Sequence, residues 1–210
     1  MLGMGRFGSA VAIELGRLGF EVLAVDANPR NVQSYAQQVT HIVEADATNP
    51  EVLRQLGAAD ASHAVVGIGS DIEASILATA ALDDLAVPNI WAKAVTKAHG
   101  RILERVGAHH VVYPEHDMGH RVAHLLGDRM LDWLQLDDDF ALAETVVPNA
   151  IAGLTLMEAG VRAKYGVTVV CVKPAGQAFT YATPETVMAP GDVLVVAGPT
   201  EAAEAFARLA

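Results

Sequence analysis

The chain has 210 residues, 52% of them hydrophobic and 19% charged, with a formal net charge of −11 and a pI near 5.0. Such a composition suits a globular protein with a sizeable core, and its negative surface argues against nucleic acid as a partner. The single cysteine, Cys171, excludes internal disulfides and cysteine-rich metal sites.

The chain opens on the loop Gly3-Met4-Gly5-Arg6-Phe7-Gly8. Only two residues precede it, which leaves no room for the apolar strand of about five residues that normally feeds such a loop. Val11, Leu15 and Leu18 at helical spacing predict a helix over Ser9–Leu18, ended by Gly19. Glu21–Val25, closed by Asp26, reads as a buried parallel strand. Asn28-Pro29 caps and opens the next helix. His41–Ala45 predicts a strand, and Asp46–Pro50 leads into another helix. Ala64–Gly69 is a strand followed by a helix from Ser70-Asp71 to about Leu85. The strand Ile90–Ala94, a helix near Ala98–Val106 and the strand His110–Tyr113 complete the alternation. Short connections between alternating strands and helices define an α/β fold, a Rossmann-type doubly wound parallel sheet.

Pro114–Met130 reads as a crossover helix leaving that sheet, and Asp132–Asp139 as a strand with an acidic break. The expected division is therefore 1–130 and 131–210. The second part offers strands near Phe140–Val147, Val167–Lys173 and Val193–Ala197, a short helix at Thr155–Ala159, and an alanine-rich helix from Glu201. Without regular alternation this is a small α+β lobe. Cys171 falls in its apolar run Val167–Val172 and reads as a buried, inert thiol. No apolar stretch approaches the roughly 18–20 residues of a membrane span and no signal peptide is evident, so the expected location is the cytoplasm.

In the glycine loop, Gly3 permits the tight turn, Gly5 lets the backbone approach a diphosphate, and Gly8 allows close helix–sheet packing. The helix that follows supplies free amides for phosphate. Arg6 suits a terminal phosphate bidentately, or is a surface arginine. Asp26, 18 positions after Gly8, would accept ribose hydroxyls and disfavours a 2′-phosphate, hence NADP. Asp46 with Ala47-Thr48 lies where an adenine edge would sit, though a helix cap explains Asp46 or Thr48 equally well. Ile68-Gly69 leaves room for a nucleotide, and Lys93 at a strand tip meets a phosphate or is solvated. Glu115 and Asp117 complement a helix N-terminus. His116, His120 and His124 share one helix face, read as an interface stripe in preference to a metal site. An NAD-dependent oxidoreductase is the alternative reading, but residues 131–210 contain no histidine and no convergent polar cluster. A free-standing nucleotide sensor is the other.

Several stretches together resemble one family: Gly3–Gly8 with Ser9, EVLAVD (Glu21–Asp26), ADAT (Ala45–Thr48), PNIWAKA (Pro88–Ala94), PEHDMG (Pro114–Gly119) and VRAKYG (Val161–Gly166). The chain is similar to the RCK (KTN) regulatory subunits of Ktr/Trk-type bacterial potassium uptake systems, and its single copy matches the Ktr type. The resemblance implies a Rossmann lobe, a crossover helix and a C-terminal RCK lobe. It also implies a homodimer assembling into an octameric ring on the cytoplasmic side of a membrane potassium channel. ATP or ADP, or in some members NAD(H), would bind the first lobe through Gly3, Met4, Gly5, Arg6, Phe7, Gly8, Asp26, Asn28, Asp46, Ala47, Thr48, Ile68, Gly69 and Lys93. Arg6 would contact the γ-phosphate, and Glu115 would help hold a divalent cation (Mg or Ca) at the dimer interface. Several relatives bind cyclic di-AMP in the second lobe; the matching positions are Val161, Arg162, Thr168 and Pro184, where family members often carry asparagine in place of Thr168.

Overall fold

The computed structural model describes residues 1–126 and 130–209, in two compact units, 1–115 and 116–210. In the first unit strands and helices alternate as expected: α1 (Arg6–Arg17), β1 (Leu23–Asp26), α2 (Pro29–Tyr35), β2 (His41–Glu44), α3 (Pro50–Gln55), β3 (Ala64–Val66), α4 (Ile72–Asp84), β4 (Ile90–Lys93), α5 (Lys97–Arg105) and β5 (His110–Val112). β1 and β2 run parallel, as do β3, β4 and β5 in that order.

Residues 1–3 join these two groups, and here the sequence expectation is corrected. Leu2 bridges in parallel to both Val25 and Val66. Its N–H donates to Val65 O at 2.8 Å and its carbonyl accepts from Gly67 N at 2.7 Å. On the other side, Val25 N donates to Met1 O and Gly3 N to Val25 O, both at 2.8 Å. Residues 1–3 thus occupy the place of the central strand, with neighbours on both sides satisfying their polar groups. The order becomes β2-β1-Leu2-β3-β4-β5, the doubly wound order with its reversal at Leu2. Leu2, Val25, Val66 and Ile90 of the sheet are buried in one cluster with Leu53 of α3, Leu82 of α4 and Leu103 of α5.

Among α1–α5, four helix starts follow one rule and α1 departs from it. Asn28, Asn49, Asp71 and Thr96 each accept a backbone N–H at the start of α2, α3, α4 and α5. α1 starts three residues earlier than its apolar spacing predicts, at Arg6, with Gly5 as an N-cap that makes no side-chain bond. Only the Ser9 amide closes back, onto Gly5 O. Among the described residues, the amides of Arg6, Phe7 and Gly8 therefore have no partner.

α6 (Pro114–Leu125) leads out of the first unit. It is shorter than predicted: Met130 is already a buried residue of β6 (Met130–Asp137), opposite Thr145, and 127–129 lie outside the described residues. The second unit continues with β7 (Phe140–Val146), α7 (Leu156–Ala159), α8 (Val161–Tyr165), β8 (Thr168–Lys173), β9 (Thr180–Tyr181), β10 (Val193–Pro199) and α9 (Thr200–Ala207). Its antiparallel sheet has the order β6-β7-β10-β8-β9. Ala203, Phe206 and Ala207 of α9 are buried against a core that includes Trp133, Val167, Met188, Leu194 and Val196. Cys171 is half-exposed, not buried, because β8 turns Val172 into the core and its neighbour away.

The histidine stripe of α6 divides. His124 stacks on Trp133 with centroids 4.3 Å apart, its Nδ1 3.4 Å from a Glu204 carboxylate oxygen, whereas His116 and His120 stay exposed with their rings 4.4 Å apart. Arg121 forks onto Asp132 at 2.8 and 2.6 Å. Among the described residues no group of three or more His, Cys, Asp or Glu is placed to hold a metal ion, and no helix is long and apolar enough to cross a membrane.

Candidate nucleotide site

A cleft of about 790 Å³ opens at the carboxyl ends of β1, β3 and β4, the crevice where open α/β sheets bind ligands. Of the candidates in residues 3–115, all but Met4 and Gly8 line it. Met4 is fully buried with Ala12, Val22 and Ala24. Gly8 packs the loop against itself: a Cβ there would lie 1.9 Å from Gly3 O. Gly3 adopts φ +88°, which favours glycine, and a Cβ would crowd Ile68 Cγ1 at 2.8 Å. Gly5 is the opposite case. A Cβ on it would meet nothing within 4 Å, so the loop leaves open space beside the unpartnered amides of α1.

Asp26 organises the loop as well as facing the cleft. Its Oδ2 accepts Met4 N at 2.5 Å and Asn31 Nδ2 at 3.1 Å, and Oδ1 accepts Asn28 N at 2.7 Å. Asn31 was not among the predicted residues; its one signal is its place in the first turn of α2, five residues after Asp26. Asp46 accepts both the amide and the hydroxyl of Thr48, at 2.9 and 2.7 Å, and these bonds, the amide first, hold its carboxyl below the ordinary range. Asn49, not Asp46 or Thr48, caps α3, so the helix-cap reading of those two residues is set aside and both stay on the cleft wall.

Lys93 and Glu115, read separately from sequence, meet. Lys93 Nζ lies 2.5 Å from Glu115 Oε1, the lysine side chain 11% and the glutamate 65% exposed. The lysine, with the Arg6 charge as a lesser contribution, holds the Glu115 carboxyl below its usual value. The lysine stem runs over Gly69, where a Cβ would sit 3.1 Å from Nζ, so the small residue at 69 makes room for Lys93. Arg6 is exposed on the cleft and has no ion-pair partner among the described residues. Asp71 and Val95 also line the cleft, and neither was predicted. Asp71 is legible only as a helix cap.

His99 supports this wall from behind. It is 2% exposed, its Nδ1 accepts Val95 N at 3.4 Å, and its Nε2 is buried without a partner. Burial lowers its pKa, so the unfolded chain takes up this proton first and the folded state loses stability as pH falls below about 6.5. A pH series of melting temperatures should show that loss in the native chain and a smaller one in His99→Leu.

In the second unit Val161 is committed to the core, whereas Arg162, Thr168 and Pro184 are exposed; Pro184 O accepts Met157 N at 2.9 Å. The side chain of Val161 thus packs in the core of this unit.

Fold and cleft together define a Rossmann-type domain with a phosphate-loop geometry, followed by a small antiparallel-sheet unit. Residues 1–114 match the TrkA-N domain and residues 142–210 the TrkA-C domain. The chain belongs to the TrkA-N/TrkA-C family that includes the Ktr potassium uptake proteins. It is 38% identical over 199 residues to Ktr system potassium uptake protein A of Bacillus subtilis (strain 168), covering 94% of this chain and 90% of that one. It is 35% identical over 202 residues to the protein of the same name from Vibrio alginolyticus, covering 96% and 92%. Among solved structures, the GsuK channel bound to NAD matches with a TM-score of 0.67 at 23% identity, covering 99% of this chain and 38% of that one. This chain therefore spans well under half of that channel, and the likeness is one of fold.

Proposed function

We propose that this chain is a non-enzymatic regulatory subunit of a potassium uptake system, with the cleft of its first unit as an adenine-nucleotide site. The uncapped start of α1 carries the reading. Three unpartnered amides and the positive end of a 12-residue helix face a space that a Cβ at Gly5 would enter, and a diphosphate matches both. Asp26 and Asp46 stand at the ribose and adenine end, and Arg6 and Lys93 at the phosphate end. NAD(H) fits the same description, and the fold-level likeness to an NAD-bound channel supports keeping it beside ATP and ADP. The strong identity to potassium uptake proteins along most of the chain weighs against the oxidoreductase alternative and against a free-standing sensor.

Glu115 supplies one carboxylate toward a divalent cation, and no three-residue ligand group stands beside it among the described residues. Mg²⁺ or Ca²⁺ would draw its remaining oxygens from the phosphates and a second copy of the chain, which fits a homodimer within a ring beneath the membrane subunit. Cyclic di-AMP in the second unit has the weaker support, given Val161 in the core and Thr168 in place of asparagine.

Calorimetry with ATP, ADP, NADH and cyclic di-AMP tests the reading: an adenine nucleotide should bind with one site per chain, and binding by none of the first three overturns it. Arg6→Ala should reduce the preference for ATP over ADP by about tenfold, as expected for a charge-assisted phosphate contact, and leave ADP affinity within about twofold. An unchanged ATP preference removes Arg6 from the γ-phosphate.

A further inference from the structure

The Lys93–Glu115 pair joins two parts of the chain with different fates. Lys93 ends β4, in the rigid wall of the cleft, and is nearly buried with its stem laid over Gly69. Glu115 is in the first turn of α6, the helix that carries the chain from the first unit into the second. It is well exposed, and Lys93 is its only hydrogen-bonding side chain among the described residues. The ammonium that holds Glu115 also faces the cleft, on the side where a ligand phosphate would lie. Phosphate, with a greater charge than a carboxylate, competes for that ammonium.

We infer that the Lys93–Glu115 ion pair is a strap between the nucleotide site and α6, opened when a ligand phosphate takes Lys93 in place of Glu115. The inference rests on the nucleotide reading above and adds its mechanical output. Without ligand, the first turn of α6 is pinned to the end of β4. With a phosphate on Lys93, Glu115 is released, and the start of the connecting helix is free to move or to accept another cation. The exchange balances charge: Lys93 passes from one anion to another, and Glu115 gives up its counter-ion when a second negative group arrives nearby. No step needs the second unit to touch the cleft, because the chain itself runs through Glu115.

Backbone amide exchange over residues 115–119, read by mass spectrometry with and without ADP, tests the strap in the full chain. In the native protein ADP should speed exchange there. In Glu115→Gln exchange should be fast without ligand and unchanged by ADP, and ADP should bind about two- to fivefold more tightly, since Lys93 no longer has an exposed carboxylate to leave. Lys93→Met should also be fast without ligand but bind ADP more weakly. If ADP binds the native chain yet leaves this segment unchanged or slower, and binds Glu115→Gln no more tightly, the strap is wrong and the nucleotide site stands. If ADP and NADH both fail to bind the native chain, the site reading fails first, and the strap with it.

Discussion

Replacing Gly8 with alanine should lower the melting temperature by about 6–12 °C, the response of a chain of this size to on the order of 3 kcal/mol. The added methyl would sit 1.9 Å from the Gly3 carbonyl oxygen and 2.6 Å from Met1 Cε. The methionine can swing away, but the carbonyl is fixed, because the Gly3 amide is tied to Val25 and Leu2 to both flanking strands. α1 must then back off the loop. Gly5→Ala is the control that gives the result its meaning. Gly5 has φ −68° and ψ −171°, open to any residue, and a Cβ there meets nothing. That variant should melt within about 2 °C of the native chain and lose at least tenfold in ADP affinity, because its methyl stands where the phosphate approaches. If both variants behave alike, in stability or in binding, the division of labour within the loop is wrong.

Asp26→Ala should cost about 2–4 kcal/mol, from three hydrogen bonds to one carboxylate and a Met4 amide left buried without an acceptor. ADP affinity should fall with it by more than tenfold, through loss of the proposed ribose contact and through a loop no longer held by its Met4 amide. Asp26→Asn separates the two causes. With its carbonyl oxygen in the place of Oδ2 it keeps Met4 N and Asn31 Nδ2, so much of the stability should return, while its amide opposes Asn28 N and leaves fewer acceptors for ribose. Denaturant unfolding beside calorimetry checks both variants. A stable Asp26→Ala protein would show that the three bonds do not hold the loop.

The alternation of strands and helices was legible in the sequence because strands of a parallel sheet leave near-continuous apolar runs, such as Leu23-Ala24-Val25 and Ala64-Val65-Val66. Most of the cleft was legible for the same reason: loops after such strands converge, so Gly5, Asp26, Asp46, Ile68 and Lys93 could be placed together from their positions at strand ends. The central strand was missed because residues 1–3 show no periodicity by themselves, and its evidence lies in partners more than 20 residues away. α8 was missed because Gly160 and Gly166 bracket five residues, fewer than two turns. The pairing of Lys93 with Glu115 was hidden for a different reason, since nothing in local pattern links two charges 22 positions apart. Cys171 misled because a run of β-branched residues looks the same whether one face of a strand is covered or both.

The seam at Leu2 bears on how the first unit fails under load. Among the described residues, the bridges of Leu2 to Val25 and Val66 tie β1 and β2 to β3, β4 and β5 within the sheet. The cleft lies across the same seam, with Asp26 and Asp46 on one bank and Gly69 and Lys93 on the other. A nucleotide bound there, as proposed, would span both banks like a rivet, so occupancy is expected to stiffen the sheet against shear as well as to fill the pocket.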